Sequence, residues 1–198
     1  MTPKNTPATK AEADFTTHYL ATTLRDLRQR RAWSLDKAAQ ATGVSKAMLG
    51  QIERGESSPT IAILWKIATG FETSLSSFLE PLPSTQSETL LRQAKQLRRH
   101  SGDDLMQVAP LFPFEARFGF EIFELTLTPG DERYSDPHEH GVTEFIMVSS
   151  GEMEVLVEGK WKMLCAGDAI RFNADRPHGY RNKSNATTVF YDVIHYLK

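Results

Sequence analysis

The sequence predicts an α+β protein of two domains in series, helices first and strands second, and three observations carry that prediction. Apolar residues recur at helical spacing through residues 15–80; Pro81 and Pro83, with Ser84, Thr85 and Ser87, then break the pattern; beyond Leu105 short β-rich stretches take over. With 198 residues, 40% hydrophobic and 24% charged, the chain can bury two small cores and is not expected to be disordered in bulk. The single Cys165 excludes an internal disulfide and reads as a small core residue. No apolar run approaches the roughly 20 residues needed to cross a bilayer. The opening MTPKNTPATK lacks the apolar stretch of an export signal, so a cytoplasmic protein with no membrane partner is expected.

Taken in order, residues 1–14 show no apolar periodicity and read as a flexible arm. Leu20, Leu24 and Leu27 then form one stripe of a first helix. Ser34 precedes a second through Ala38, Ala39 and Ala41, broken at Gly43. Ser45 is the expected N-cap of a third helix that carries Leu49 and Ile52 inward and ends at Gly55. Ser58-Pro59 is expected to open a fourth, with Pro at its first position and Gly70 as its stop, and residues 74–79 a short fifth. This places a helical domain at 15–80 and a linker at 81–104, where Leu90, Leu91, Ala94 and Leu97 suggest an amphipathic connecting helix. Strands are expected over 118–128, 143–148, 153–157 and 187–195, with a hairpin turn at Glu158-Gly159.

Charge is unevenly shared. Residues 15–80 hold eight Lys/Arg against six Asp/Glu, residues 105–198 nine against fourteen, within a net charge of -2. The basic half also carries a helix, a Gly-containing turn and a second helix over residues 34–55. On that second helix Val44, Leu49 and Ile52 face inward and leave Ser45, Lys46, Ala47, Gly50, Gln51 and Arg54 outside, a low face with hydrogen-bonding ends suited to a major groove. These residues, with Ser58-Pro59-Thr60 and Trp65-Lys66-Ile67-Ala68, resemble the five-helix, lambda-repressor-like XRE family of helix-turn-helix domains. The resemblance implies double-stranded operator DNA as partner, with Ser45, Lys46, Ala47, Gly50 and Gln51 at base edges or nearby phosphates, and Arg28 and Arg54 helping on the backbone or within the domain. Such modules gain affinity as pairs, so a homodimer is expected, with Phe118, Phe120 and Ile122 covering a partner.

The β half contains His138-x-His140-x3-Glu144, then His178. On a continuous strand positions 138, 140 and 144 share one face, which would carry two imidazoles and a carboxylate. Bounded by Gly130 and Gly151, and followed by Gly167 and His178-x3-Asn182, the pattern resembles the two motifs of the cupin superfamily, double-stranded β-helix (jelly-roll) barrels. It departs from them in the seven residues between Gly130 and His138 and in Asn173 and Asp175, where Pro and Gly are usual. The resemblance implies a cupin domain over 105–198 and a divalent metal on His138, His140, Glu144 and His178. Such ligands suit Zn or Ni first, with Fe, Mn or Co also open. Glu121 shares the inward face of Phe123, Leu125 and Leu127 and is a candidate to receive a ligand amine. Tyr180 shares the face of His178, and Arg117 and Tyr134 are candidates for the pocket mouth.

The joined arrangement looks like bacterial one-component regulators. Residues 45–65, 111–114 and 177–182 resemble the branch associated with sulfur utilisation, which implies a small-molecule effector of the class of sulfur-containing or other amino acids. The rival reading is a metal-dependent cupin enzyme of oxygenase or isomerase type fused to a DNA-binding domain.

Overall fold

Three side-chain caps start the central helices. The computed structural model describes residues 10–81, 89–100 and 106–197. In it Ser34 accepts from the Lys37 N–H to open α2 (Leu35–Thr42), Ser45 from Met48 to open α3 (Lys46–Glu53), and Thr60 from Ile63 to open α4 (Ile61–Gly70). Gly43 takes the left-handed conformation, φ 67°, that turns α2 into α3. The fourth helix therefore starts two residues beyond Ser58-Pro59, because the Thr60 hydroxyl supplies the cap. Gly70 is its last residue rather than a residue beyond its end: a Cβ there would lie 2.6 Å from the Ala41 carbonyl oxygen, so the absent side chain lets α4 cross the end of α2.

The first helix, α1 (Lys10–Arg30), begins inside the segment expected to be an arm. Lys10, Ala11, Glu12 and Ala13 are strong helix formers, and propensity here needs no apolar stripe. Residues 1–9 of that segment, and 82–88 and 101–104 of the expected linker, lie outside the described residues. Leu20 and Leu24 of α1 pack with Leu49, Ile52, Leu64, Ile67 and Phe71, and α5 (Ser76–Leu79) adds Phe78. The connecting helix shrinks to a single turn, α6 (Ala94–Leu97), with no buried residue. Flanking it, Arg92 reaches Glu80 of the helical domain (2.5 Å) and the Pro110 carbonyl (3.1 Å), and Arg98 reaches Glu124 (2.6 Å), which holds the segment against both domains.

Two antiparallel sheets form the barrel. One has the order β1-β2-β3-β10-β5-β8 and the other β4-β9-β6-β7. The strands are β1 (Arg99–His100), β2 (Gln107–Glu115), β3 (Phe120–Leu127), β4 (Glu132–Ser135), β5 (Thr143–Ser150), β6 (Glu152–Val157), β7 (Lys160–Cys165), β8 (Ala169–Asn173), β9 (His178–Arg181) and β10 (Thr188–His195). Sheet pairing thus starts before residue 105, inside the expected linker, with Arg99 opposite Val108. Glu158 and Gly159, both with positive φ, make the expected two-residue hairpin between Val157 and Lys160. Phe123, Leu125 and Leu127 of β3 alternate inward to meet Ile146, Val155 and Phe190. Cys165 ends edge strand β7 and is exposed rather than in the core. Among the described residues no helix is long and apolar enough to cross a membrane.

Candidate functional site: a metal-ligand cluster and a cavity under helix α4

Three of the four expected metal ligands converge. Nε2 of His138 lies 2.7 Å from Oε1 of Glu144, and Nε2 of His178 lies 3.4 Å from the same oxygen, with all three ligand atoms within 4.8 Å of one another. Glu144 enters from β5 and His178 from β9. His138 comes from the loop between β4 and β5, anchored by its N–H on the Ala174 carbonyl (2.9 Å). His140 does not join them. The chain at 138–142 is a loop turned by Gly141 at φ 86°, so strand alternation does not apply, and the fully exposed His140 ring bonds Asp175 (3.1 Å) instead.

The cluster suits a cation. Nδ1 of His178 donates to the Arg176 carbonyl at 2.8 Å, which in the neutral ring turns the Nε2 lone pair toward Glu144, and that buried Nε2 has no hydrogen-bond partner. Burial alone would raise the Glu144 carboxyl, but the charge of His178 and the hydrogen bond from His138 outweigh it and hold the group well below the usual carboxylate range. Burial lowers the His178 imidazole, and Glu144 more than reverses this, so the net shift is upward. Burial and the neighbouring Glu144, to which its hydroxyl donates, push the Tyr180 phenol well above its ordinary value. An oriented imidazole lone pair, a second imidazole and an ionised carboxylate form a donor set that fits a divalent metal.

Above the cluster lies a cavity of about 420 Å³ whose wall is shared by both domains. From the barrel come Phe123, Leu125, Glu144, Tyr180 and Asp192; from the helical domain come Thr42, Ile61, Trp65, Lys66 and Thr69. The Trp65 ring sits 4.7 Å from the His138 ring and 6.4 Å from that of Phe123. Lys66 reaches Asp136 on the rim at 3.1 Å. Tyr180 and Tyr134 line the cavity as expected, but Tyr134 is 65% exposed and its hydroxyl is spent on Glu132. Alternation along β4 directs Arg133 inward instead.

Glu121 and Arg117 lie elsewhere. Glu121 is inward and fully buried, as expected, but its carboxylate already accepts from the Ser76 N–H (3.0 Å) and from the Tyr196 hydroxyl, so no amine is needed there. Burial outweighs those hydrogen bonds and raises its carboxyl. Arg117 sits in the turn between β2 and β3, pairs with Glu115 (2.7 Å), lies over the Phe118 ring at 4.4 Å, and does not line the cavity.

On α3, Ser45, Lys46, Ala47, Gln51 and Arg54 are exposed. Lys46 pairs with Asp36 (2.8 Å) and Arg54 with Glu56 (2.7 Å). Gly50 is buried rather than outside, since Arg54 folds over it: a Cβ at Gly50 would lie 3.1 Å from Nη1 of Arg54. Arg28 is internal, gripping both oxygens of the buried Glu53 (2.6 and 2.8 Å) and the Trp33 carbonyl (2.9 Å).

Sequence reasoning missed Trp65, Arg133 and Asp192. Asp192 was open to it, being a carboxylate on the inward face of a strand with Phe190 and Ile194. Trp65 was not, because its place depends on how the domains dock.

The Helix-turn-helix family profile matches residues 24–78 and the Cupin domain profile residues 123–194. The HTH-type transcriptional regulator SutR of Escherichia coli K12 is 44% identical over 178 residues, 90% of this chain and 95% of that protein. PuuR, an HTH-type transcriptional regulator of the same strain, is 24% identical over 172 residues, 81% of this chain and 86% of that protein. The crystal structure of an HTH_3 family transcriptional regulator from Vibrio cholerae superposes with a TM-score of 0.79 at 43% identity, covering 93% of this chain and 99% of that one.

Proposed function

Since this chain belongs to the family of HTH-type transcriptional regulators that join a helix-turn-helix domain to a cupin domain, we propose that its barrel binds a small metabolite through or beside a divalent metal and thereby changes the grip of the helical domain on operator DNA. The chain is a regulator and not an enzyme. One observation carries the sensing part: the cavity over the His138, Glu144 and His178 cluster is walled on its other side by α4 of the DNA-binding domain. A molecule in that space touches both halves, so any preference it has for one arrangement of them becomes a change in DNA affinity.

In this reading Ser45, Lys46, Ala47 and Gln51 face the major groove, and Arg54 reaches a phosphate once it exchanges Glu56 for it. Two copies present recognition helices one DNA turn apart, roughly 34 Å. The exposed Phe118, stacked on Phe120 at 5.8 Å, is the apolar surface offered to the second copy. His138, Glu144 and His178 would hold the metal, of which zinc or nickel fits the donors best. Bound there, the metal would supply a Lewis-acidic point for an effector's electron pairs. Tyr180 fixes the Glu144 carboxylate, and the Trp65 ring excludes water from the His138 side. A sulfur-containing or other amino acid is the effector class to which the resemblance points, and the cytoplasm is where such a regulator meets it.

The test uses the full chain and a DNA site that it selects from a random pool. Lys46→Ala and Gln51→Ala are expected to weaken binding with the fold intact. His138→Ala should remove the metal seen by native mass spectrometry and leave metal-free DNA binding largely unchanged. Operator affinity that no ligand of the barrel alters would end the sensor reading.

A further inference from the structure

We propose that Asp192 is the receptor for a cationic amine, so that the cavity takes a small ligand bearing a primary or secondary ammonium group. This rests on the reading of the cavity as the effector site and adds the chemistry of its floor.

Asp192 lies in the middle of β10, opposite Phe123 on one side and Ile146 on the other, in a strand whose inward positions Thr188, Phe190 and Ile194 are buried. It is 2% exposed, lines the cavity, and its Oδ1 has no hydrogen-bond partner. Among the described residues, the other buried carboxylates of the barrel are met. Glu144 has His138 and Tyr180, Glu121 has Ser76 and Tyr196, Glu124 has Arg98, and Asp131 has Arg133. Burial, and then the like charges of Glu144 and Glu121, push its carboxyl well above the ordinary range.

A buried carboxylate beside other carboxylates with an unmet oxygen is costly, and proteins keep such groups where a ligand completes them. The protonated acid is therefore favoured in the ligand-free cavity, and a neutral hydroxyl brings nothing that would let it ionise beside Glu144. An ammonium group supplies the donor and the compensating charge together. Asp192 stands outside the three-donor cluster, so a metal on His138, Glu144 and His178 leaves it unmatched. A cavity of about 420 Å³ suits a small amine.

Isothermal titration of the full chain tests this with L-methionine, L-cysteine, 1,4-diaminobutane and n-butylamine, each against its amine-free counterpart: 4-(methylthio)butanoate, 3-mercaptopropionate, 1,4-butanediol and n-butanol. At least one amine should bind once per chain and roughly 10- to 100-fold tighter than its counterpart, the range for a hydrogen bond to a charged group. Asp192→Asn should erase that ratio. The same variant should melt, without ligand, at or above the wild-type temperature, because the amide removes an unmatched buried acid at a functional position. The proposal is overturned by equal binding of amine and counterpart, by an unchanged ratio in Asp192→Asn, by failure of every amine to bind, or by a lower melting temperature of the variant. An amine-free ligand that binds and shifts operator affinity would sink the amine and leave the sensor reading standing. An amine that binds without any such shift would do the reverse.

Discussion

Arg28 sits where a basic side chain on a DNA-binding domain invites assignment to phosphate, yet its guanidinium is 17% exposed and satisfies a glutamate that is 7% exposed. Glu53 holds its pKa upward through that hydrogen bond, against the opposing effect of burial. Removing one partner of a buried pair leaves an uncompensated charge, a loss of 3–5 kcal/mol when burial is complete; with some solvent access, Arg28→Ala should cost about 3 kcal/mol in urea unfolding. Operator binding by the folded fraction should stay within a few-fold, and a variant as stable as wild type would show the pair to be ornamental. The same contrast explains what could be read from single residues in advance. His138, Glu144 and His178 were legible because their spacing follows a known motif. His140 was misplaced because the alternation argument needs a strand, and Gly141 turns that stretch into a loop. Gly50 was misplaced because its exposure depends on where the Arg54 side chain lies, which no periodicity encodes.

At the scale of elements, local signals were enough for the helical domain. Ser45 caps where expected, Ser34 caps the helix it was expected to precede, and Gly43 turns where expected, since these preferences act within a few residues. The linker shows the limit. Residues 90–99 have helical spacing, but Arg92 and Arg98 find carboxylates and a carbonyl on other elements, and those long-range partners override the local preference for helix. Strands such as β4 and β9 are only four residues long, too short for alternation to announce them. Gly70 belongs to this scale because its function is the crossing of two helices. In Gly70→Ala the new methyl would lie 2.6 Å from the Ala41 oxygen and 2.6 Å from the Thr42 Cα, both backbone atoms that cannot swing away. Overpacking of this kind costs about 1–3 kcal/mol, more than the ~1 kcal/mol that alanine returns as a better helix former. We expect a net loss of about 1 kcal/mol in denaturant titration, judged by these two opposing terms. A stabilised variant would mean that α4 does not cross α2 this closely.

Among the described residues, the contacts that join the two domains include Trp65 on His138 and Phe123, Lys66 on Asp136, the Ser76 N–H on Glu121, and the Phe114 N–H on the Ser76 hydroxyl (3.0 Å). Those of Trp65 and Lys66 come from α4, which follows α3 in the chain and walls the cavity. If effector and operator act on one equilibrium between docked and released arrangements, linkage demands reciprocity: the factor by which effector changes operator affinity equals the factor by which operator changes effector affinity. Coupling of ~1–3 kcal/mol corresponds to factors of roughly 5 to 150. Trp65 is half-buried and lies off the exposed face of α3, so Trp65→Ala should bring both factors toward one while basal operator affinity, measured by anisotropy on a protein whose circular dichroism is unchanged, moves only a few-fold. Lys66→Ala, which removes only the exposed ion pair with Asp136, should reduce the coupling less, because such a pair contributes under about 1 kcal/mol. Full coupling retained in Trp65→Ala would place the communication elsewhere, with the Glu121 to Ser76 contact the next route to cut.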